Sequence, residues 1–326
     1  MIRLLVPLDG SKLAEQAILH AATFASAFEA ELHLLQVVEP NTHDPQLPFD
    51  NFDWEMRCSQ SQCYLQDLAQ ALAGQRIEAH IHVVEGNPPT EIIEFSKTHR
   101  IDLILLCTHG AGGINQFPKG STVQKVISNT DASLLLVRPD ESALRTDVHY
   151  RRILVMLDGS RRSDWALQLA AIIARAADAE LSLLQVVQTP VQTPGVRVST
   201  EGRQLAERLV ELNRIDAQKH LDELKNRLPS DITVRIRVLV GPEIAPLVQQ
   251  VAEEDDIDLL VLSAHGMSIG NYWLYGPIAE SILAHASLPL LVFQDIQERS
   301  ITLKPRSGTP ARAVKAERPR NRAEAS

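Results

Sequence analysis

The chain has 326 residues, of which 44% are hydrophobic and 22% charged, and its formal net charge is −9. This composition excludes a wholly disordered chain, because it supplies enough apolar side chains for folded cores, and the length predicts two or three domains. No apolar run reaches the roughly 18 residues of a membrane-spanning helix, and three cysteines are too few for a disulfide framework, so we expect a cytoplasmic protein.

The first half of the chain alternates short apolar runs, typical of strands, with longer amphipathic patterns, typical of helices. Five strands are predicted at residues 2–8, 31–38, 78–84, 102–107 and 133–138, and four helices at residues 12–28, 55–73, 90–99 and 121–129. Continuous apolar strands suit a parallel sheet that is covered on both faces. Because strands and helices alternate, we expect right-handed crossovers and a doubly wound α/β fold.

The second half of the chain repeats the first. Residues 4–11 return as residues 153–160, and residues 31–38 return as residues 180–187 with a single difference. Later in each half, residues 101–110 match residues 257–266. A period this long excludes a solenoid and indicates two copies of one domain. We place domain 1 at residues 1–140 and domain 2 at residues 150–296.

Residues 202–228 form the longest amphipathic pattern of the second copy. Apolar side chains recur along one side at helical spacing, namely Leu205, Leu209, Leu212, Ala217, Leu221, Leu224 and Leu228. Such a stripe is typical of a helix face that packs on a core, and we interpret all seven side chains as core residues.

The last segment, residues 297–326, differs from the rest of the chain in charge. It contains eight basic and three acidic residues, three prolines and few large apolar side chains. We expect a basic, disordered tail that is a solvated extension. The rest of the chain is strongly acidic, which disfavours nucleic acids and anionic membranes as partners.

Polar and glycine-rich segments follow the strands that end at the expected binding edge. An open parallel sheet binds ligands beyond the carboxyl ends of its strands, where the winding direction reverses. Asp9 follows the first strand, residues 108–113 (Thr-His-Gly-Ala-Gly-Gly) follow the fourth, and Gly120, Ser121 and Thr122 open the next helix. Glycines allow a phosphate to approach closely, and helix-start N–H groups and hydroxyls hold its charge. The pattern therefore predicts a nucleotide site.

An aspartate after the first strand, with Gly-x-x-Gly-x(9)-Gly-Ser/Thr spacing after the fourth, resembles the ATP-binding pattern of the universal stress protein family. The resemblance covers both copies, almost all of residues 1–296, as in a tandem-type member. It implies a five-stranded sheet in the order 3-2-1-4-5 in each domain and a bound adenine nucleotide.

The resemblance also implies the contacts of that nucleotide. Pro7, Leu8 and Asp9 would line the adenosine end, Val37 or Val38 would contact adenine through its backbone, and His109, Gly110, Gly120, Ser121 and Thr122 would meet the phosphates. Mg²⁺ or Mn²⁺ is expected only as the counter-ion of the nucleotide.

Each copy departs from the family pattern. Cys107 occupies the position of the first motif glycine, where a side chain crowds the approach of the ribose or α-phosphate, and Ser263 occupies it in the second copy. The second copy also has Gly276-Pro277 where the pattern has Gly-Ser/Thr, and proline removes both a backbone N–H and a hydroxyl donor. We therefore expect ATP to bind mainly in the N-terminal domain.

Several of these residues also have purely structural interpretations. Asp9 and Asp158 can each cap the following helix; we favour capping for Asp158 and leave both roles open for Asp9. His109 can hydrogen-bond loop backbone alone, and Cys107, which ends an apolar strand, is interpreted as a buried small hydrophobe rather than a reactive thiol.

No residue is assigned a catalytic or metal-binding role. The chain has no Gly-x(4)-Gly-Lys-Ser/Thr loop and no Ser-His-Asp arrangement around a nucleophile elbow. His80 and His82 share one face of a predicted strand, but no acidic or cysteine partner completes a metal site, and we expect a solvated sheet edge.

The fifth strand of each copy lies at a sheet edge in the order 3-2-1-4-5. Residues 133–138 and 288–293 are both apolar, and exposed edges of this kind invite pairing. We expect these strands to pack antiparallel and to join the two domains, with the contact concentrated at residues 290–293 because Pro289 cannot donate to a ladder. The oligomeric state, including a homodimer, is left open.

Three functions are weighed for this chain. The first is a cytoplasmic stress-response protein that binds ATP in its N-terminal domain and acts as a sensor or adaptor, with at most slow turnover. The second is a nucleotide-free tandem stress protein that acts as an interaction scaffold. The Gly120-Ser121-Thr122 segment favours the first, whereas Cys107 and Pro277 favour the second. A nucleotide-dependent enzyme has little support, because no general base or acidic metal-binding pair is visible.

Overall fold

The computed structural model describes residues 2–40, 51–108, 122–138, 148–190, 199–264, 279, 281–282 and 288–294, without the side chains of residues 51–53. Of the candidate site residues, His109, Gly110, Gly120 and Ser121 lie outside this part of the chain, as does the tail at 297–326. None of the helices within it is long and apolar enough to cross a membrane.

Domain 1 alternates strands and helices along the chain. Its elements are β1 (Arg3–Leu8), α1 (Lys12–Phe28), β2 (Glu31–Val38), α2 (Asn51–Gly74), β3 (Ala79–Glu85), α3 (Pro88–Thr98), β4 (Leu103–Cys107), α4 (Thr122–Asn129) and β5 (Ser133–Val137). The side chain of Ser11 accepts the N–H of Ala14 and starts α1, and Glu29 ends α1 in the left-handed conformation.

Domain 2 repeats this order. Its elements are β6 (Arg152–Leu157), α5 (Arg161–Ala177), β7 (Glu180–Gln188), α6 (Thr200–Arg227), β8 (Val234–Gly241), α7 (Ile244–Glu254), β9 (Leu259–Ser263) and β10 (Leu290–Phe293). Ser160 caps α5 through the N–H of Ser163, and Asp178 ends it in the left-handed conformation. The same local signals thus start and end the first helix of both domains.

The strands form one sheet in the order β3-β2-β1-β4-β5-β10-β9-β6-β7-β8. Within each domain the order is 3-2-1-4-5 with parallel pairing, which confirms the predicted doubly wound fold. At the centre of the sheet, β5 and β10 run antiparallel, with Leu135 opposite Leu291 and Leu134 opposite Val292. The N–H of Gln294 also donates to Ser133 Oγ at 3.1 Å.

The central strands are buried on both faces. Leu4 and Leu5, neighbours on β1, are fully buried and belong to two different core clusters. One cluster lies under α1, α2, α5 and α6, and the other lies under α3, α4 and α7. This arrangement explains why these strands are continuous apolar runs rather than alternating ones.

The interpretation of the α6 stripe as core is wrong for its first half. Leu205, Leu209 and Leu212 are 72%, 54% and 51% exposed, whereas Leu221 and Leu224 are buried. Length explains part of this exposure: the 28 residues of α6 span about 42 Å, whereas the nine residues of β7 beneath it span about 30 Å. The excess of about 12 Å corresponds to about the first eight residues of the helix, which include Leu205. Leu209 and Leu212 lie further along α6, and the length difference does not account for their exposure.

Candidate functional site

The candidate site lies at the carboxyl ends of β1, β2 and β4. Strand β1 is between the other two, with Leu8 opposite Gln36 on β2 and Leu5 opposite Ile104 on β4. Extending this parallel register brings Leu8 to the level of Cys107, the last residue of β4. The chain winds to one side of the sheet after β1 and to the other side after β4, so this edge is the topological switch point of domain 1.

The turn after β1 is built around Asp9. This residue is exposed, and its Oδ1 accepts the N–H of Ser11 at 3.0 Å. Gly10 between them has a φ of +81°, a left-handed conformation that suits glycine. The carboxylate is thus held at the edge of the sheet by the turn that starts α1.

Domain 2 makes the same turn with Asp158. Its Oδ1 accepts the N–H of Ser160 at 3.0 Å, and Gly159 between them also has a φ of +81°. Both aspartates therefore stabilise the start of a helix, as expected for Asp158. For Asp9, the exposed position at the switch point leaves a ligand-binding role compatible with this contact.

The strand ends provide apolar side chains and, on β2, two residues that continue past the end of the ladder with β1. Pro7 is half-buried and Leu8 is buried, and Val38 is buried beside a half-buried Val37. The ladder between β1 and β2 ends at Leu8 opposite Gln36, and β2 continues for Val37 and Val38 beyond it. On its other side, the carbonyl of Val38 accepts the N–H of Gly86 at 3.1 Å.

Cys107 and Thr122 are the described residues on either side of the glycine-rich loop. Cys107 is 7% exposed and lies opposite Val137 in the ladder of β4 and β5, in agreement with its interpretation as a small buried hydrophobe. The next residue, Thr108, is also buried, and its N–H donates to the carbonyl of Val137 at 2.8 Å. Thr122 begins α4 and is half-buried.

A small polar network lies beside Asp9. Lys12 Nζ is 2.9 Å from Glu15 Oε2, and the hydroxyl of Tyr64 donates to Glu15 Oε1 at 3.3 Å. Burial raises the pKa of Tyr64, and the neighbouring carboxylates of Glu15 and Asp9 raise it further. The phenol consequently stays protonated and serves as a hydrogen-bond donor that anchors α2 to α1.

The sequence reasoning missed Gln36 and its counterpart Gln185. The side-chain oxygen of each is buried without a hydrogen-bond partner among the described residues. Gln36 Nε2 lies 3.6 Å from the position that a Cβ on Gly10 would occupy, so this amide borders the Asp9 turn. A signal was present, because the glutamine is identical in both copies of the segment repeated at 31–38 and 180–187.

His80 and His82 lie on β3, the edge strand of the sheet, and His80 is exposed, as expected for a solvated edge, but both have partners that the sequence reasoning missed. Glu31 Oε1 lies 3.6 Å from His80 Nε2, and His33 Nδ1 lies 3.1 Å from His82 Nε2. These partners belong to the adjacent strand β2, so spacing within β3 did not reveal them. In the part of the chain that the structure describes, no group of three or more His, Cys, Asp or Glu residues is arranged to hold a metal ion.

Comparison with known proteins gives the same result for both halves of the chain. The sequence profile of the universal stress protein family matches residues 1–138 and again residues 149–294. Universal stress protein MJ0531 of Methanocaldococcus jannaschii is 29% identical over 140 residues, which are 42% of this chain and 81% of that protein.

Two solved structures match nearly the whole chain. A universal stress protein from Archaeoglobus fulgidus has a TM-score of 0.61 at 19% identity and covers 90% of this chain and 98% of its own. A putative universal stress protein from Pseudomonas aeruginosa has a TM-score of 0.63 at 17% identity and covers 89% of this chain and 92% of its own. At these sequence identities, the similarity shows that the folds are alike and nothing more.

Proposed function

Because the chain belongs to the universal stress protein family, we propose that it is a cytoplasmic stress-response protein that binds ATP, mainly in domain 1. In this proposal the nucleotide controls a sensor or adaptor, and any turnover is slow. A solved member of the family is in complex with cAMP, so the preference for ATP rests on the residues of this chain and not on that structure.

The observation that carries the proposal is the geometry at the carboxyl end of β1. An exposed carboxylate, Asp9, stands at the topological switch point, beside two residues of β2 that continue past the end of β1. Open α/β sheets bind nucleotides at this place. A carboxylate suits the ribose hydroxyls, and strand backbone suits the donor and acceptor edge of adenine.

We assign the contacts of ATP as follows. Pro7 and Leu8 would support the adenosine, Asp9 would accept a hydrogen bond from it, Val37 or Val38 would pair with adenine through its backbone, and His109, Gly110, Gly120, Ser121 and Thr122 would hold the phosphates. Mg²⁺ or Mn²⁺ would enter only as the counter-ion of the phosphates. Cys107, at the position of the first motif glycine, would contribute little, since it is buried.

The two domains differ at the phosphate end. Domain 1 has Ser121 after Gly120, whereas domain 2 has Pro277 after Gly276. Proline offers neither a backbone N–H nor a hydroxyl, and each charge-assisted hydrogen bond to a phosphate contributes about 1.5–3 kcal/mol. Domain 2 therefore supports the fold and any partner contacts rather than tight nucleotide binding.

A nucleotide-free scaffold is the second candidate. One specific observation favours it: the turn of Asp9 matches that of Asp158 in its hydrogen bond and in the φ of its glycine, so helix capping alone accounts for both. In either function, we propose that the two domains act as one unit joined through β5 and β10.

Analysis of bound nucleotide tests the proposal. The full-length protein, purified rapidly without added nucleotide, is denatured, and the released small molecules are identified by mass spectrometry. We expect ATP from the parent and from Gly276→Val, and none from Gly120→Val, because a branched side chain at residue 120 fills the space of a phosphate. Equal release from all three proteins would reject the assignment to domain 1. Release of cAMP in place of ATP would correct the ligand, and no release together with no binding in titration would favour the scaffold.

A further inference from the structure

Four histidines gather on the α3 side of the sheet in domain 1. His33 comes from β2, His80 and His82 come from β3, and His99 ends α3. The ring of His33 lies 5.3 Å from those of His80 and His82 and 6.2 Å from that of His99, between centroids. His99 also stacks on Phe95 of α3 at 3.8 Å. The cluster therefore joins the edge strand β3, its neighbour β2 and the helix that covers them.

The members of this cluster are packed with little compensation for positive charge. His33 is 5% exposed, and its Nδ1 shares a proton with His82 Nε2 at 3.1 Å. The nearest carboxylate, Glu31 on β2, lies 3.4 Å from His33 Nε2 and 3.6 Å from His80 Nε2. The other carboxylate oxygen of Glu31, Oε2, forms an ion pair with Nε of Arg3 on β1 at 3.1 Å. This carboxylate, already paired with an arginine, thus contacts two of the four imidazoles.

The surroundings favour the neutral form of the inner histidines. Burial, together with the neighbouring histidines, lowers the pKa of His33 from its ordinary value of 6.5 to about 4, against the opposing effect of Glu31. Burial likewise lowers the pKa of His82, with His99 and His80 adding to the effect. His33 and His82 therefore take up protons less readily in the folded chain than in an unfolded one.

Domain 2 fills the same place with permanent charges. The register that pairs His33 with His80 pairs Ser182 with Arg235, and the position of His82 is taken by Arg237. Arg235 forms an ion pair with Glu180. Arg237 forms ion pairs with Asp255, the residue that ends α7, at 3.0 Å and with Glu254 at 3.2 Å. Every histidine of the cluster thus has a non-histidine counterpart in domain 2.

We propose that the histidine cluster is a proton-binding switch, which loosens the contact of β3 and α3 in domain 1 at mildly acidic pH while its counterpart in domain 2 stays closed. Protonation would place like charges about 5–6 Å apart inside the protein, where their repulsion is poorly screened. The element that responds is the packing of α3 on β2 and β3. His33 lies near the start of β2, whereas the proposed nucleotide site is at the carboxyl end of that strand, and the inference is independent of the proposed function.

The direction of the pH effect follows from the two protonation states. A histidine whose pKa is lower in the folded chain stabilises the fold fully above its ordinary pKa of 6.5. That contribution is lost progressively as the pH falls from 6.5 towards 4, since the unfolded form binds protons first. Hydrogen bonding from Gln250 and Arg237 lowers the pKa of Glu254 in domain 2, so this partner of Arg237 keeps its charge over most of this window. Only the domain 1 contact should weaken between pH 6.5 and pH 5.

Hydrogen–deuterium exchange of the full chain at pH 7.5 and pH 5.2, corrected for the intrinsic exchange rate, tests the switch. The exchange protection factors of residues 79–102 should fall about tenfold or more at the lower pH, which is the free-energy change that a pKa shift of about one unit produces. Protection of residues 234–258 should stay unchanged. An equal fall in both segments, or no fall in either, would overturn the proposal.

Variants separate the cluster from a general effect of acid. Replacing the four histidines by their domain 2 counterparts (H33S, H80R, H82R and H99D together) should abolish the fall in residues 79–102. If this variant does not fold, His82→Gln alone should reduce the fall, because it removes one charge from the cluster. His220→Gln on α6 is the control variant, and it should show the same fall in protection of residues 79–102 as the parent. A full-sized fall in His82→Gln, or a loss of the fall in His220→Gln, would also overturn the proposal.

Discussion

The imidazole Nδ1 of His20 lies 2.6 Å from the phenol oxygen of Tyr150, although 130 positions separate the two residues. His20 is on α1 of domain 1, whereas Tyr150 lies two residues before β6, the first strand of domain 2. The ring of Tyr150 also meets Phe24 edge to face at 5.9 Å, and Thr23 Oγ1 donates to the carbonyl of Val148 at 3.0 Å. The segment that enters domain 2 is therefore packed onto the first helix of domain 1.

The buried hydroxyl of Tyr150 should contribute measurably to stability. Tyr150→Phe removes it and leaves the apolar packing in place, so we expect a loss of about 1–3 kcal/mol in the free energy of unfolding, measured with urea. Tyr64→Phe, whose hydroxyl is only half-buried, is the matched control and should lose less. A Tyr150→Phe protein as stable as the parent would show that the contact with His20 contributes nothing.

Substitutions in the two halves of α6 should differ in how much they change the free energy of unfolding. Leu209→Gln lies on the exposed first half and should change the free energy of unfolding by less than about 0.5 kcal/mol. Leu221→Ala lies in the core and should lower it by about 2–5 kcal/mol. Thermal and urea denaturation of both variants measures this difference. A large loss in Leu209→Gln would mean that the first half of α6 is covered in solution.

The glutamine that borders the Asp9 turn should be replaceable without loss of stability. Gln36→Met keeps the length of the side chain and removes a buried acceptor that has no partner among the described residues. Because an unsatisfied buried acceptor costs about 1–3 kcal/mol, the variant should be as stable as the parent or more stable. Gln185→Met should behave alike in domain 2. Destabilisation of either variant in denaturant titrations would reveal a partner for that oxygen.

The joined sheet predicts a fixed distance between the two domains. Spin labels at Lys125 on α4 and Gln249 on α7, both exposed, report on it in a background without the native cysteines. We expect one narrow distance distribution from pulsed electron resonance, as wide as that of a reference pair placed within domain 1. A distribution much broader than this reference would indicate two domains on a flexible linker instead of pairing through β5 and β10.

The fold was predictable because its signals are local and occur twice. Ser11 and Ser160 start equivalent helices, and the apolar runs of β1 and β6 are nearly the same sequence. The features that were not predicted depend on residues that are remote in sequence. His80 could not be connected to Glu31 without the strand register, and the exposure of Leu209 depends on which turns of α6 pack on the sheet.

The site was predictable in part for the same reason. The edge at Asp9 follows from strand order, and strand order follows from the alternation of strands and helices. The orphaned oxygen of Gln36 did not follow, because it depends on how a side chain packs beside Gly10.

Titration of ATP into matched aspartate variants tests the central claim most directly. Asp9→Ala and Asp158→Ala each remove the same turn hydrogen bond, at 3.0 Å in both domains, so their effects on folding should be alike. Isothermal titration calorimetry on the full chain should show ATP binding by the parent, unchanged affinity in Asp158→Ala, and affinity weakened about tenfold or more in Asp9→Ala. Equal affinity in the two variants, or no ATP binding by the parent, would contradict a nucleotide site in domain 1.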